Sequence, residues 1–174
     1  MQVWKFGGTS VGKPERMQSI RQLITADGMP KIVVLSALSG STNTLLSISE
    51  SLIAQNQAEA KAKATELRAH YDAFLTELYQ TPAGLAKGQA IVEKEFNFID
   101  SLIATVPYTV KEEKEMVALG ELLSTQIFEA YLQEEGVNSA LLPALDFMVI
   151  DADNEPIMAQ IESKLASVLA NVKD

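Results

Sequence analysis

Val3-Trp4-Lys5-Phe6-Gly7-Gly8-Thr9-Ser10-Val11-Gly12 is the stretch on which the fold turns. Val3 to Phe6 make a short apolar run, and Gly7-Gly8 end it, so the stretch reads as a buried strand entering a tight loop. Pro14 suits the first turn of a helix, and Glu15 is placed at the positive end of its dipole. Met17, Ile20, Leu23 and Ile24 follow at helical spacing until Asp27-Gly28 and Pro30 stop them.

A second strand follows at once. Ile32-Val33-Val34-Leu35 is a continuous apolar run, the pattern of a strand covered on both faces. It ends in the small-residue loop Ser36-Ala37-Leu38-Ser39-Gly40-Ser41, and Thr42 can cap a helix whose inward stripe is Leu45, Leu46, Ser49, Leu52 and Ile53. Strand, helix, strand, helix predicts parallel pairing through a right-handed crossover.

The middle of the chain changes character. Residues 58–79, 88–106 and 112–135 each carry apolar residues on one helical face, led by Leu67, Tyr71 and Phe74, then Ile91, Phe96 and Ile99, then Met116, Leu119 and Leu123. Together they predict a helical block over about 58–135. Val137 to Leu142 reads as a third strand broken by Pro143, and residues 157–172 as a last amphipathic helix. Three parallel strands with this much helix make an unfinished sheet, so a segment of a larger α/β domain is expected, with a compact three-strand protein as the alternative.

Composition narrows the chemistry. The net charge of −9 over 174 residues, with no basic stripe, argues against nucleic acid as a partner. There are no cysteines, which removes disulfides, thiolate metal sites and thiol catalysis; His70 stands alone, so no zinc site of the usual kind is expected. The start of the chain has no charged leader before an apolar run, and no apolar stretch approaches the ~20 residues a bilayer requires. A cytoplasmic protein without a membrane partner is the expectation.

Three segments can carry chemistry. Lys5 ends a parallel strand, where open α/β sheets bind ligands; Gly7 and Gly8 let backbone N–H groups approach an anion, and a compact ammonium beside them suits a polyphosphate. A plain strand-to-helix turn with a solvated lysine uses the same residues. Gly7, Gly12 and Lys13 nearly spell a P-loop, but the next position is Pro14, which has no hydroxyl for magnesium, so the P-loop is rejected. Ser36 to Asn43 offers hydroxyls and N–H groups at the second strand's end, which capping and turn formation also explain. Glu121, within Val117-Ala118-Leu119-Gly120-Glu121-Leu122-Leu123-Ser124-Thr125, is a carboxylate in an apolar helical stretch; it either meets a partner such as a bound ammonium or lies on the helix surface.

Occurring together and in this order, the three segments resemble those of aspartate kinases in the amino acid kinase family. Lys5 to Val11 resembles the family's N-terminal signature, Val33 to Ala37 with Gly40 and Thr42-Asn43 its second loop, and Leu119 to Ser124 its helix motif. The resemblance implies an αβα-layered, mostly parallel sheet with a helical insertion. It makes residues 1–174 the N-terminal part of a kinase domain, without the nucleotide-binding part and the regulatory ACT domains.

The implied activity is ATP-dependent phosphorylation of the L-aspartate β-carboxylate, with Mg2+, the first step of lysine, threonine and methionine biosynthesis. Lys5 would be the catalytic cation. Lys5, Gly7, Gly8, Thr9 and Ser10 would hold the nucleotide's phosphates. Ser36, Ala37, Thr42 and Glu121 would hold aspartate, with Glu121 on its ammonium. The family's substrate-clamp arginine has no counterpart after Arg68, and Ile157 follows Glu155-Pro156 where an aspartate is usual. A chain inactive by itself, a non-catalytic binding or assembly module, and a kinase for another amino acid are therefore the competing expectations. An open sheet edge adds the expectation of a homo-oligomer.

Overall fold

The computed structural model describes residues 2–170 and 172. The chain divides into two compact units, Met1–Asn138 and Ser139–Asp174.

In the first unit, β1 (Gln2–Phe6) and β2 (Lys31–Leu35) form a two-stranded parallel sheet, with Val3 opposite Ile32 and Lys5 opposite Val34. The crossover contains a single turn, α1 (Gly8–Val11), then α2 (Pro14–Thr25). Pro14 occupies the start of α2 and Glu15 its first turn, and Met17, Ile20 and Ile24 form its buried stripe. α2 matches the helix expected from Pro14, and the additional turn α1 stands between it and β1, so α1 rather than α2 lies at the glycines. Expected burial fails in both strands: no residue of β1 is buried, and Val34 of β2 is 42% exposed and Val3 66%, so one sheet face is bare.

α3 (Ser41–Ile53) starts after Gly40, whose φ of 87° is in the left-handed region that glycine tolerates best. α4 (Gln57–Leu78), α5 (Pro82–Ala104) and α6 (Val110–Glu134) complete a ring: α4 packs on α3 and α5, and α6 on α5 and α3. Leu45, Ile48, Tyr71, Leu75, Val92, Ile99, Leu119 and Leu123 are its sealed centre. The expected helical block is present, with earlier starts for two helices. Thr81 accepts a hydrogen bond from the Gly84 N–H and Pro82 stands in the first turn, so α5 begins before residue 88. Thr109 and Glu112 form a capping box that opens α6.

The predicted third strand over 137–142 does not form. α6 ends in a Schellman pattern: the Gly136 N–H donates to the Gln133 carbonyl at 3.1 Å and the Val137 N–H to the Leu132 carbonyl at 2.9 Å. Val137, apolar as a strand would need, thus closes a helix, and Gly136 supplies the positive φ of 70°.

The second unit holds α7 (Ala144–Phe147), a short antiparallel bridge between Ile150 and Pro156, and α8 (Met158–Leu169). The Asp151 carboxylate accepts the N–H groups of Asp153 and Glu155, each at 2.9 Å, which shapes the intervening turn. α8 matches the expected last helix, of which position 171 lies outside the described residues. Among the described residues no helix is long and apolar enough to cross a membrane.

Candidate functional site

At the C-terminal ends of β1 and β2 the chain turns twice, and both turns face α6. A cleft of about 410 Å³ opens there, lined among others by Gly8, Thr9, Ser36, Ala37, Thr42 and Glu121. This is the size range of small-molecule sites. Six residues singled out from the sequence thus share one wall-to-wall space. Ser39 and Asn43, which belong to the same second-strand loop segment but were given no individual role, also line it.

The close approach of the three segments depends on glycines. A Cβ at Gly8 would lie 3.1 Å from the Ala37 carbonyl oxygen, and one at Gly12 2.5 Å from Ser39 Cβ. A Cβ at Gly120 would lie 2.8 Å from Ala37 Cβ, well inside ordinary carbon contact. Gly12 therefore serves loop-to-loop packing, while Lys13 is an exposed N-cap to α2, in keeping with the rejected P-loop. The Arg16 guanidinium donates to the Thr9 carbonyl and ties α2 to the glycine turn.

Lys5 reaches the cleft through a neighbour. Its ammonium donates to Ser36 Oγ at 2.9 Å, and a Cβ on Gly7 would be 3.7 Å from Lys5 Nζ, so the cation folds back over the glycine turn. Ser36 is held at its other two polar groups as well. Its N–H donates to the Phe6 carbonyl at 3.1 Å, and its carbonyl accepts from Ser124 Oγ at 2.8 Å. Of the expected phosphate-site residues, Gly8 and Thr9 line the cleft, whereas Lys5, Gly7 and Ser10 do not; the Ser10 N–H donates to the Gly7 carbonyl at 2.8 Å, inside the α1 turn.

Glu121 is exposed rather than buried in the apolar stretch. Its carboxylate accepts the Ala37 N–H at 3.4 Å, a long and weak contact that leaves most of its acceptor capacity for another donor. The helical block meets the site at one further point: the fully buried Tyr71 donates to Ser41 Oγ at 3.0 Å, at the start of α3. Burial pushes the Tyr71 phenol up to about 12, against the pull of its bond to Ser41, and the charge of Glu121 adds to the rise. Ser124 and Tyr71 were missed as site supports because a serine and a tyrosine on core-facing helical stripes look like packing; only their long-range partners distinguish them.

Chemically, the cleft sets serine and threonine hydroxyls and turn N–H groups, one of those hydroxyls carrying the Lys5 ammonium, against the Glu121 carboxylate. Anionic groups are matched at the Lys5 end and a cationic group at Glu121. Among the described residues no group of three or more His, Cys, Asp or Glu side chains could hold a metal ion.

The sequence model described as the amino acid kinase family matches residues 1–172. Aspartokinase 2 of Arabidopsis thaliana chloroplasts is 30% identical over 159 residues, covering 87% of this chain and 28% of that protein. Two crystal structures of Escherichia coli aspartokinase III are similar. The complex with lysine and aspartate has a TM-score of 0.81 at 26% identity, covering 98% of this chain and 38% of that one. The complex with aspartate and ADP has a TM-score of 0.78 at 27% identity, covering 97% and 37%. This chain thus spans less than two fifths of the length of each of these relatives. The family match runs through both turns, the helical block and the second unit, and the chain belongs to the amino acid kinase family.

Proposed function

We propose that the protein acts as part of an aspartate kinase, transferring the γ-phosphoryl group of ATP to the β-carboxylate of L-aspartate. One observation carries this reading: Lys5, near the end of β1, bonds Ser36 at 2.9 Å, and Ser36 lines the same cleft as Glu121, from the middle of α6. The likeness to aspartokinases, one of them solved with aspartate and ADP, supports it.

In this reading Glu121 accepts the aspartate ammonium, while Ser36, Ala37 and Thr42 position its carboxylates. Lys5 and the N–H groups of Gly7, Gly8 and Thr9 neutralise the phosphates. Ser10 takes a lesser part, since its N–H serves the α1 turn. An oxygen of the β-carboxylate attacks the γ-phosphorus in line as the bond to the ADP oxygen breaks, giving aspartyl phosphate and ADP. Positioning and charge neutralisation do the catalysis, with no covalent enzyme intermediate. Magnesium would enter on the nucleotide's phosphates, since among the described residues Glu121 is the one carboxylate lining the cleft and is assigned to the ammonium.

Coupled measurement of ADP release with L-aspartate, on this chain and on any longer product of the same gene, tests the reading. Lys5→Ala should cost about 10²- to 10³-fold in kcat, the scale of losing one charge-stabilising donor. An unchanged rate would overturn it. A second reading, a binding or assembly module that kept the fold, is favoured by Ile157 after Glu155-Pro156 and by the lack of any arginine after Arg68. Aspartate binding without turnover in either version would support that module.

A further inference from the structure

We propose that Ser124 is a positioning residue of this site: its buried hydroxyl fixes the Ser36 peptide, and through Ser36 the ammonium of Lys5. The role rests on the reading above, in which Lys5 meets the phosphoryl group.

Ser124 is 0% exposed, on the core side of α6. A serine within a helix ordinarily bonds back to a carbonyl of its own preceding turn. Ser124 has that option at the Glu121 carbonyl, 3.1 Å away, but the nearer acceptor is the Ser36 carbonyl at 2.8 Å, 88 residues earlier in the chain. A hydroxyl has one proton to donate, and the shorter contact directs it across to the loop.

Ser36 is thereby held from three sides. The Phe6 carbonyl takes its N–H, extending the β1–β2 pairing by one residue, Ser124 takes its carbonyl, and Lys5 donates to its hydroxyl. With the peptide pinned at both N–H and C=O, the Ser36 side chain starts from a fixed Cα, and the acceptor it offers Lys5 has a defined place. Gly120, four residues before Ser124 and so on the same helix face, lets α6 come close enough for the bond; even a methyl there would meet Ala37. Without the Ser124 hydroxyl, the Ser36 carbonyl loses its partner and the peptide can tilt, releasing Lys5.

Lysine labelling of the 174-residue chain tests the linkage without requiring turnover. The acetylation rate of each lysine by an N-hydroxysuccinimide acetate ester is read by peptide mass spectrometry. Ser124→Ala should raise the Lys5 rate at least twofold. Ser124→Cys, which keeps the side-chain bulk but donates weakly, should do the same and serves if the alanine variant does not fold. Ser36→Ala should also raise it, and the Ser36→Ala/Ser124→Ala double variant should match Ser36→Ala alone, because Ser124 acts through Ser36.

Lys31 and Lys63, held by Asp27 and by Ser51 and Glu59, are internal references that should not change. An unchanged Lys5 rate in both Ser124 variants overturns the proposal. So do additive effects in the double variant, and so does a parallel rise at Lys31 and Lys63, which marks general loosening. In a version that turns over, Ser124→Ala should lower kcat with little change in KM for aspartate. A protein that shows the labelling pattern but never phosphorylates aspartate would refute the kinase reading and leave the Ser124–Ser36–Lys5 linkage standing.

Discussion

Replacing Gly120 with alanine adds one methyl group at the place where α6 meets the Ser36-Ala37 turn. The new Cβ would fall 2.8 Å from Ala37 Cβ and 3.4 Å from Leu45 Cδ1. Ordinary carbon contacts lie near ~3.5–4.0 Å, so α6 and the turn must part by about 1 Å. Overpacking of this kind costs about 1–3 kcal/mol, while removing a glycine from a helix interior returns about 1 kcal/mol. The net loss of stability is about 0–2 kcal/mol, at most a fall of about 8 °C in melting temperature for a domain of this size.

The site should suffer more than the fold. Glu121 is the next residue, and its contact to the Ala37 N–H is already 3.4 Å. A further ångström breaks it and displaces the carboxylate from the cleft. The bond then lost is the one the proposed function places between the Glu121 carboxylate and a bound ammonium, worth about 1.5–3 kcal/mol for a charged group; because Glu121 is exposed, the lower end applies. Titration calorimetry with L-aspartate should therefore show about tenfold weaker binding, beside a thermal melt shifted by only a few degrees. An affinity within twofold of the unsubstituted protein would refute the claim that the α6–turn contact sets the ammonium site proposed at Glu121.

Alkali should unfold the protein through its buried phenols. Tyr71 is pushed from its ordinary value up to about 12 and Tyr79 also upward, both chiefly by burial. Above pH ~10 the unfolded chain releases these protons before the native one, so stability falls from about pH 10 to 12, by about 1.4 kcal/mol per pH unit for each phenol. Urea melts at pH 9 and 11 should show the loss, and Tyr71→Phe should reduce it; equal pH sensitivity in the two proteins would contradict the assignment. Gly88→Ala should cost about 2–3 kcal/mol by urea denaturation, because the added Cβ sits 2.4 Å from Tyr79 Cε2 and must move a ring whose hydroxyl donates to the Ile127 carbonyl. Thr109→Ala removes the capping box of α6 and should cost about 1 kcal/mol by the same measurement.

What the sequence made legible is what local chemistry decides. The β1 run, its glycine stop, Pro14 and Glu15 at a helix start, and the apolar stripes of α4, α5 and α6 are each set by residues a few positions apart, and the structure carries all of them. The meeting of the Lys5, Ser36 and Glu121 segments was legible only through resemblance, since no periodicity says that residue 121 faces residue 37. The misses share a cause. Val137 has the apolar character of a strand, yet a strand exists only against a partner, and here the residue is taken by the close of α6. Val34 looks like a strand buried on both faces, but a cover on each face is a property of the neighbours, and one face is bare.

The same logic explains why the supports of the site were invisible. Gly120 and Ser124 lie on one face of α6 and Tyr71 on the core face of α4, all at positions where any small or apolar residue satisfies the helical pattern. Their particular identities matter because of what stands opposite: a backbone at Ala37, a carbonyl at Ser36 and a hydroxyl at Ser41. A stripe reports that a face is buried; it cannot report that the buried face must also hydrogen-bond to a loop 30 or 88 residues distant in sequence. Helix-face polarity inside a core is therefore the signal to weigh. A fully buried serine or tyrosine must have a partner, and in this chain two such partners are the loop residues around Lys5 and Thr42.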